Sequence, residues 1–392
     1  MSEPCRVMVI GAGDLGCRVF QGLASGGSNR ALHLVGRDGE KVLRAANLAA
    51  LSSLQTGHRT EVTHFVTDLV DVDRTAEVIV RFRPDIIFLA ASLQSWWVIS
   101  TLPDDAFQRL YQANFGPWLP MHLVPVMNAM RAVRAARSDA VVVNAAYPDA
   151  VHPTLVGADL SPHIGIGNVA NNVPGIRRAA ADMLDTGVHR VDVRLVLHHY
   201  VSHRLSRSGD TGDAEMALRI LHDGVDVTEQ ADTRTLLSAL PGRYRRTGGR
   251  DGQVMTAASA LSVLEPLIDG STAIVHAPGP GGRIGGYPVA LSPEGIRLAL
   301  PAGMSESEAL AVNLSGQRAD GIAEIRADGT VRFEEPAVDI LDRELGYHCA
   351  EMPLDWIEDC AREIADRFAA YQVRVTSDPS YQAKPSRSGV TV

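Results

Sequence analysis

Short apolar runs and helical segments alternate along the first 147 residues of the chain. Runs rich in β-branched residues predict strands at 6–10, 32–35, 62–66, 85–90 and 140–144. Between them, 40–54 has apolar residues at helical spacing, 72–82 is stopped by Pro84, and 104–137 indicates one or two helices. This alternation predicts an N-terminal Rossmann-type α/β domain. Its doubly wound parallel sheet would be covered on both faces, with the ligand at the carboxyl ends of the strands.

The pattern changes after residue 147, where the turn-rich stretch 147–167 predicts a domain boundary. Helices are expected at 174–185, within the polar region 213–240 and at 255–268, and strands at 190–198, 272–277, 287–291 and 295–300. A hairpin turning at Asp328-Gly329 and a last helix at 354–371 follow. We therefore expect a dinucleotide-binding domain at 1–147, an α+β catalytic domain with a C-terminal extension at 148–375, and a disordered Ser/Pro-rich tail at 376–392.

Composition limits the class of protein. The 392-residue chain is 45% hydrophobic and 21% charged, which is typical of a globular protein with two domains. A net charge of −9 argues against nucleic-acid binding. No apolar stretch approaches the ~18 residues of a membrane span, and the early first strand leaves no room for a signal peptide. Four scattered cysteines suit reduced thiols. We expect a cytoplasmic protein with a small-molecule substrate and no membrane partner.

A glycine motif directly follows the first predicted strand. The segment VMVIGAGDLG at 7–16 contains G-x-G-x-x-G at Gly11, Gly13 and Gly16, and a helical stretch comes next. The first glycine permits a tight turn, the second lets a pyrophosphate approach the backbone, and the third lets helix and strand pack closely. The order strand, glycines, helix predicts a dinucleotide site rather than a bare structural turn. Its other expected cofactor contacts are Asp14, Leu15, Ala90, Ala91 and Asn114.

The end of the second strand bears on the choice between NAD and NADP. NAD-binding proteins usually place Asp or Glu there, to accept hydrogen bonds from the ribose 2′-hydroxyl. Here Gly36 and Arg37 occupy the position, and an arginine suits a 2′-phosphate. The alternative is that Arg37 is a solvated loop residue and Asp38 binds the ribose of NAD. We expect NADP, with NAD possible.

Over about residues 6–310, the chain resembles the lactate/malate dehydrogenase superfamily. The segments that carry the resemblance are NAAYPDA at 144–150, GIGNVANNVPGIRRAAADML at 165–184, VRLVLHHYVSH at 193–203 and MTAASALSVLEPLIDGSTAIVHAPGPGGRIGGYPVALSPEGIRLALP at 255–301. The resemblance implies a catalytic domain of that family's type, a nicotinamide cofactor that Asn144 would contact, and His199 as the acid/base. A homodimer or homotetramer is expected. The chain continues some eighty residues past the family's usual end.

Several positions depart from the family's pattern. Asn171 stands where the family has the Asp that pairs with the histidine, and Pro174 stands where it has the arginine that binds a substrate carboxylate. The loop after the fourth strand has no cation and contains Trp96 and Trp97, expected as an apolar wall. Because an amide cannot offset an imidazolium charge, we expect no strong His–Asp pair.

Other polar residues extend the candidate site. Asn168 and Asn172 lie with Asn171 at a predicted helix start, where a cap needs only one of them, so a neutral polar substrate is a candidate ligand. Arg177 and Arg178 follow one turn after Pro174 and either bind an anion or are solvated helix charges. No metal site is expected from the histidines at 198–203, because no H-E-x-x-H pattern or carboxylate accompanies them.

These observations predict an NADP-preferring oxidoreductase that acts on a carbonyl, imine or alcohol other than a simple 2-hydroxy acid. His199 would exchange the proton, assisted by Asn171. Two alternatives remain open. The first is a 2-hydroxy acid dehydrogenase that recruits Arg177 or Arg178 for the carboxylate. The second is a nucleotide-binding sensor or assembly protein without turnover.

Overall fold

A six-stranded parallel sheet forms the centre of the N-terminal half. The structure is a computed structural model that describes residues 3–27 and 29–377. The strands are β1 (Cys5–Ile10), β2 (Arg30–Gly36), β3 (Glu61–Val66), β4 (Ile86–Leu89), β5 (Val141–Asn144) and β6 (Ile164–Gly165). Their order in the sheet is β3-β2-β1-β4-β5-β6, which is the doubly wound order of dinucleotide-binding domains. The predicted fold class is therefore confirmed.

Helices cover both faces of this sheet because its central strands are apolar on both sides. They are α1 (Asp14–Ser25), α2 (Gly39–Gln55), α3 (Val72–Phe82), α4 (Asp104–Tyr111), α5 (Leu119–Ala135) and α6 (Pro148–Val156). One buried layer packs Val7, Val9 and Phe88 against α1 and α2. The opposite layer packs Met8 and Ile87 against α3 and α5. The alternation of side chains along a strand produces these two layers.

The second half of the chain mixes helices with small antiparallel sheets. Its elements are α7 (Val169–Met183), β7 (Val191–Val196), α8 (His199–Arg207), β8 (Ala217–His222), β9 (Val225–Asp226), α9 (Thr233–Ser238), α10 (Gln253–Asp269), β10 (Ala273–Pro278), β11 (Gly286–Ser292) and β12 (Gly295–Leu298). Strands β7–β9 form one sheet and β10–β12 another. A bridge between Leu197 and Gly286 joins the two sheets directly before α8.

The C-terminal extension folds back onto the N-terminal half. It comprises α11 (Glu306–Ala319), β13 (Ile322–Ile325), β14 (Val331–Phe333), α12 (Glu335–Leu345), β15 (Glu351–Met352) and α13 (Ile357–Ser377). Helix α13 packs on α5, where the ring of Phe368 meets Trp118 edge to face at 5.4 Å. The hairpin predicted at Asp328-Gly329 is confirmed by the pairing of β13 with β14.

Three segments differ from the sequence-based expectation. The stretch 147–167 contains α6 and β6, so the parallel sheet continues past the boundary predicted at residue 147. The region 213–240, expected to be helical, contains the short helix α9 but also β8 and β9, because β8 finds a partner in β7. The strand predicted at 190–198 ends at Val196, and His199 begins a helix instead. Of the predicted tail, Thr376 and Ser377 end α13, and 378–392 lie outside the described residues.

A search of the described residues for membrane-spanning segments finds no helix that is both long and apolar enough to cross a bilayer.

Candidate active site

The glycine loop has the geometry that a dinucleotide requires. Gly11 has a φ of +115°, and a Cβ there would lie 2.7 Å from the backbone of Ala90. A Cβ on Gly16 would lie 1.8 Å from the carbonyl oxygen of Gly11. A Cβ on Gly13, by contrast, would meet no atom within 4 Å. The fold itself therefore requires the outer two glycines, whereas the open space at Gly13 would let a ligand approach the backbone.

The amino end of α1 faces the same loop. Gly13 is its N-cap and offers no side-chain cap, so the first backbone N–H groups of the helix remain for an anion. Asp14 begins the helix and forms ion pairs with Arg18 at 2.7 Å and with Arg250 at 3.3 Å. Partial burial opposes ionisation of Asp14, but the hydrogen bonds from these two arginines lower its pKa below the usual value. The residues present fit a bound pyrophosphate.

The carboxyl end of β2 combines a small residue with two cations. A Cβ on Gly36 would lie 2.8 Å from the side chain of Val42, so helix packing excludes a larger residue. Asp38 is the N-cap of α2 and accepts a hydrogen bond from the backbone N–H of Lys41 at 3.1 Å. Arg37 and Lys41 are exposed, and neither forms an ion pair with a described residue.

A histidine–carboxylate pair lies where β7 passes into α8. Nδ1 of His199 hydrogen-bonds Oδ2 of Asp320 at 2.7 Å. Asp320 directly follows α11 and also accepts hydrogen bonds from the hydroxyl of Tyr147 at 2.7 Å and from the backbone N–H of Phe115 at 3.2 Å. The prediction that His199 lacks a carboxylate partner is therefore wrong. The carboxylate comes from a helix end 121 positions away along the chain rather than from α7.

The charges of this pair stabilise each other. Burial disfavours the imidazolium form of His199, but the carboxylates of Asp320 and Asp149 outweigh burial and raise the pKa of His199 above 6.5. Burial also opposes ionisation of Asp320, yet His199 lowers the pKa of that carboxyl to about 2. Because Nδ1 is bound to Asp320, Nε2 is the ring atom left to exchange a proton.

Aromatic rings surround the imidazole of His199. Phe115 lies 4.6 Å from it, Tyr147 5.1 Å and His203 4.4 Å, measured between ring centroids. Burial and the neighbouring cations lower the pKa of His203 well below its usual value. Trp96 packs on Phe115 at 4.4 Å and so belongs to the wall around the site. Trp97 is only partly buried.

A buried polar network fixes the backbone of His199 against α7. Asp149 is fully buried and accepts hydrogen bonds from the backbone N–H of His199 and from the amide of Asn168. The carbonyl of Asn168 accepts in turn from Ser202 at 2.9 Å and from Asn172 at 3.1 Å. Asn168 and Asn172 were predicted as substrate contacts, but the amide and carbonyl of Asn168 and the amide of Asn172 form hydrogen bonds within the protein.

The remaining predicted residues divide into two groups. Ala90 and Ala91 lie against Gly11 at the edge of the sheet, and Asn114 directly precedes Phe115 in the chain, so their role as cofactor contacts stays a prediction. The amide of Asn144 is buried and bonds His152 and the backbone of Ala146, so its side-chain groups are engaged in internal hydrogen bonds.

Two expectations about α7 need correction. Asn171 is not the partner of His199, because Asp320 takes that place. The buried amide oxygen of Asn171 has no hydrogen-bond partner within residues 3–27 and 29–377. Arg177 turns away to the start of β7, where it donates to the carbonyl of Val191 at 2.7 Å, and Arg178 is exposed. Neither arginine replaces the cation missing at Pro174.

Sequence reasoning missed Asp320, Tyr147 and Phe115. Asp320 and Phe115 have no local signal, because the end of a helix and a loop bring them to His199 only in the folded chain. In the described part of the chain, no group of three or more His, Cys, Asp or Glu residues is placed to hold a metal.

Comparison with solved structures identifies the fold. The malate dehydrogenase of Cryptosporidium parvum matches at a TM-score of 0.56 and 13% identity, over 81% of this chain and 96% of that one. The lactate dehydrogenase of the same organism, solved with lactic acid and β-nicotinamide adenine dinucleotide, matches at 0.54 and 14%, over 82% and 97%. The lactate dehydrogenase of Eimeria maxima, solved with NADH and oxamate, matches at 0.55 and 13%, over 80% and 92%.

The chain therefore has a lactate/malate dehydrogenase-like fold, as the resemblance in sequence implied. No family model matches it, and no curated protein matches its sequence. At such low identity the likeness concerns the fold alone, and the chemistry has to be argued from the site.

Proposed function

We propose that the protein is a nicotinamide-dependent oxidoreductase that interconverts a carbonyl or imine with the corresponding alcohol or amine. The single observation that carries the proposal is the 2.7 Å hydrogen bond between His199 and Asp320. His199 follows β7 at the start of α8, and the glycine loop follows β1 at the carboxyl end of the parallel sheet. When bound, the nicotinamide supplies or accepts the hydride.

The protein residues supply proton transfer and orientation. In the reductive direction Nε2 of His199 donates a proton to the substrate heteroatom, and in the oxidative direction it accepts one. Asp320 holds the ring by Nδ1 and stabilises its cationic form, as the carboxylate of a catalytic triad does. Phe115 and Tyr147 restrict water around the ring, and Asp149 fixes the backbone at the start of α8.

Replacing the proton-transfer group tests this function. His199→Gln should lower NADPH-dependent turnover of a carbonyl and imine panel by about 10²–10⁴ and leave NADPH affinity nearly unchanged. His189→Gln, at an exposed position, is the control. If wild type binds NADPH but turns over no compound of the panel, the protein is a nucleotide-binding sensor or assembly protein instead.

The proposed cofactor preference is for NADP. Asp38 is engaged in capping α2, and the two nearby cations Arg37 and Lys41 suit a 2′-phosphate. Arg37→Ala should weaken NADPH binding about tenfold or more, since a charge-assisted hydrogen bond contributes about 1.5–3 kcal/mol, and leave NADH binding unchanged. Calorimetry measures both affinities, with the more distant Arg44→Ala as control. Equal affinity of wild type for NADPH and NADH would contradict the preference.

The proposed substrate is not a simple 2-hydroxy acid. Pro174 offers no donor for a carboxylate, Arg177 points elsewhere, and the loop carrying Trp96 contains no cation. Assays with malate and lactate address this point directly. Oxidation of either by wild type with a turnover of at least about 1 per second would establish the 2-hydroxy acid alternative.

A further inference from the structure

Two of the four cysteines lie beside each other in the C-terminal extension. Cys349 stands in the short segment between α12 and β15, and Cys360 is the fourth residue of α13. They are separated along the chain, but their thiols are in hydrogen-bonding contact with each other. Both residues are only partly buried, so a small reagent can reach the sulfur atoms. The other two cysteines, Cys5 and Cys17, lie in β1 and α1.

The elements that carry this pair are well packed. Cys349 and Cys360 both contact the buried cluster that contains Leu345 and Ile364. The thiol of Cys349 also donates to the backbone carbonyl of Glu351 at 3.6 Å. The pairing of β14 with β15 and the packing of α13 on α5 hold the chain on both sides of the pair. The contact between the two sulfur atoms is therefore fixed by the fold.

A buried hydroxyl completes the cluster. Tyr347 is 2% exposed, and its hydroxyl has no hydrogen-bond partner among residues 3–27 and 29–377 other than the sulfur atoms beside it. Burial, and then the charges of Cys349 and Cys360, raise the pKa of Tyr347, so the hydroxyl stays protonated and can donate. A thiolate accepts such a hydrogen bond better than a thiol does. Tyr347 therefore stabilises a thiolate at this position.

Cys360 is the thiol that this arrangement activates. The hydrogen bond from Cys349 and, against the opposing effect of burial, that from Tyr347 bring the pKa of Cys360 down to about 7. Cys360 also lies near the amino end of α13, where the helix dipole favours a negative charge. A substantial fraction of this thiol is therefore ionised at neutral pH, and the thiolate is the nucleophilic form.

The carboxylates near Cys360 oppose its ionisation only weakly. Glu363 and Asp359 both raise its pKa, but less than the two hydrogen bonds lower it. Each carboxylate also has a cation of its own, since Glu363 pairs with Arg367 and Asp359 pairs with Arg362.

Cys349 is suited to react second. The hydrogen bond to Cys360, and then burial, raise the pKa of Cys349 well above its usual value, so this thiol stays protonated while Cys360 is ionised. Once Cys360 has reacted with an oxidant it no longer carries a negative charge. The ionisation of Cys349 then becomes easier, because a neighbouring negative charge has been removed.

We propose that Cys349 and Cys360 form a redox-active dithiol site that is oxidised reversibly by a disulfide compound such as glutathione disulfide. The Cys360 thiolate first attacks one sulfur of the oxidant, forms a mixed disulfide and releases the other half, which takes up a proton. Cys349 then gives up its proton and attacks the sulfur of Cys360, so that the protein disulfide forms and the second half leaves as a thiol. The protein loses two electrons and two protons, and the oxidant gains them.

The new bond would tie segment 346–350 to the start of α13. Glu358, two positions before Cys360, pairs with Arg131 of α5 at 3.4 Å, so the bond would lie next to the contact between α13 and the N-terminal half. This inference goes beyond the proposed function and does not depend on it, because the thiol chemistry uses neither a nicotinamide nor His199.

Mass spectrometry of the full-length protein tests the proposal. Reduced protein is incubated with glutathione disulfide at neutral pH, its remaining thiols are alkylated, and it is digested with trypsin. Both cysteines fall on one peptide, 344–362, because no lysine or arginine separates them. This peptide should become two hydrogens lighter and escape alkylation, and dithiothreitol should reverse both effects. Further cleavage after Glu351 should leave two pieces that only the disulfide joins.

Single variants separate the two roles. Cys349→Ser should stop the reaction at the first step, so that one glutathione remains on Cys360. Cys360→Ser should react with glutathione disulfide at least about tenfold more slowly than wild type, because the activated thiolate is lost. The matched control is the double variant Cys5→Ser/Cys17→Ser. Burial raises the pKa of both of those thiols, to about 11 for Cys5, so their loss should leave the rate of disulfide formation unchanged.

Three results would overturn the inference. The first is a wild-type peptide 344–362 that keeps both hydrogens after the incubation, and the second is a mixed disulfide that persists on Cys360 in wild type. The third is an equal rate of reaction in wild type and in Cys360→Ser. The first two results need no variant, so they decide the question even where a serine substitution impairs folding.

Discussion

At the scale of single residues, the distinctive arrangement is the set of groups that meet at Asp320. One buried carboxylate accepts from the ring of His199, the hydroxyl of Tyr147 and the backbone of Phe115. Burial, and then the charge of Asp320, raise the pKa of Tyr147 well above 10, so this hydroxyl remains a donor. His198, only 3.8 Å from the same carboxylate, is fully buried as well, and its Cβ packs on Gly316. We therefore treat His198 as structural.

Removing the charge of Asp320 should change the pH dependence of catalysis. Reduction needs protonated His199, which is present below its pKa, and Asp320 and Asp149 raise that pKa despite burial. In Asp320→Asn the carboxylate no longer offsets the effect of burial, so the pKa of His199 falls. The alkaline limb of the pH profile for reduction should therefore move to lower pH by about one unit or more. Profiles of kcat against pH measure the shift.

Asp210→Asn provides the control for this prediction. Asp210 is exposed and pairs with Arg204 of α8, so its loss removes a nearby charge without touching His199. An unchanged profile in Asp320→Asn would show that the carboxylate only packs against the ring and does not position it as an acid.

At the scale of elements, the first βαβ unit could be predicted almost completely from sequence, whereas the pair of His199 and Asp320 could not. Gly11 and Gly16 are required by close contacts within the turn between a strand and the helix that directly follows it. The order of strand, glycines and helix along the chain is therefore sufficient to predict them. His199 was located by its place at a strand end, although α8 begins there rather than a continued strand. Asp320 depends on how α11 docks against α8, and no spacing or periodicity encodes that contact.

Substitutions in the glycine loop between β1 and α1 test whether a nucleotide binds there. Gly13→Val should abolish or strongly weaken NADPH binding and leave stability nearly unchanged, because the protein offers open space at that Cβ and only a ligand needs it. Calorimetric titration and urea unfolding measure the two effects. Gly16→Val is the contrasting variant, since its side chain would collide with the carbonyl of Gly11 and should impair folding itself. Full NADPH affinity in Gly13→Val would place the nucleotide elsewhere.

At the scale of the whole molecule, the C-terminal extension completes the surroundings of His199. It begins with α11, whose end supplies Asp320, and it finishes with α13, which packs on α5. A continuous path of rings leads from Phe368 through Trp118, Trp96 and Phe115 to His199. The extension that the resemblance left unexplained thus closes the wall of the site, and its role could not be predicted because its partner surface lies more than 200 residues earlier in the sequence.

Disrupting the packing of α13 should therefore destabilise the N-terminal half together with the extension. Phe368 is 2% exposed, and Phe368→Ala should lower the free energy of unfolding by about 3–5 kcal/mol, through lost burial and the cavity left beside Trp118. Val373→Ala, on the same helix but 66% exposed, should change it by less than about 0.5 kcal/mol. Urea unfolding, followed by tryptophan fluorescence and by circular dichroism, measures both variants. If Phe368→Ala were as mild as Val373→Ala, or if the transition followed by tryptophan fluorescence did not move with it, α13 would not be part of the same cooperative core.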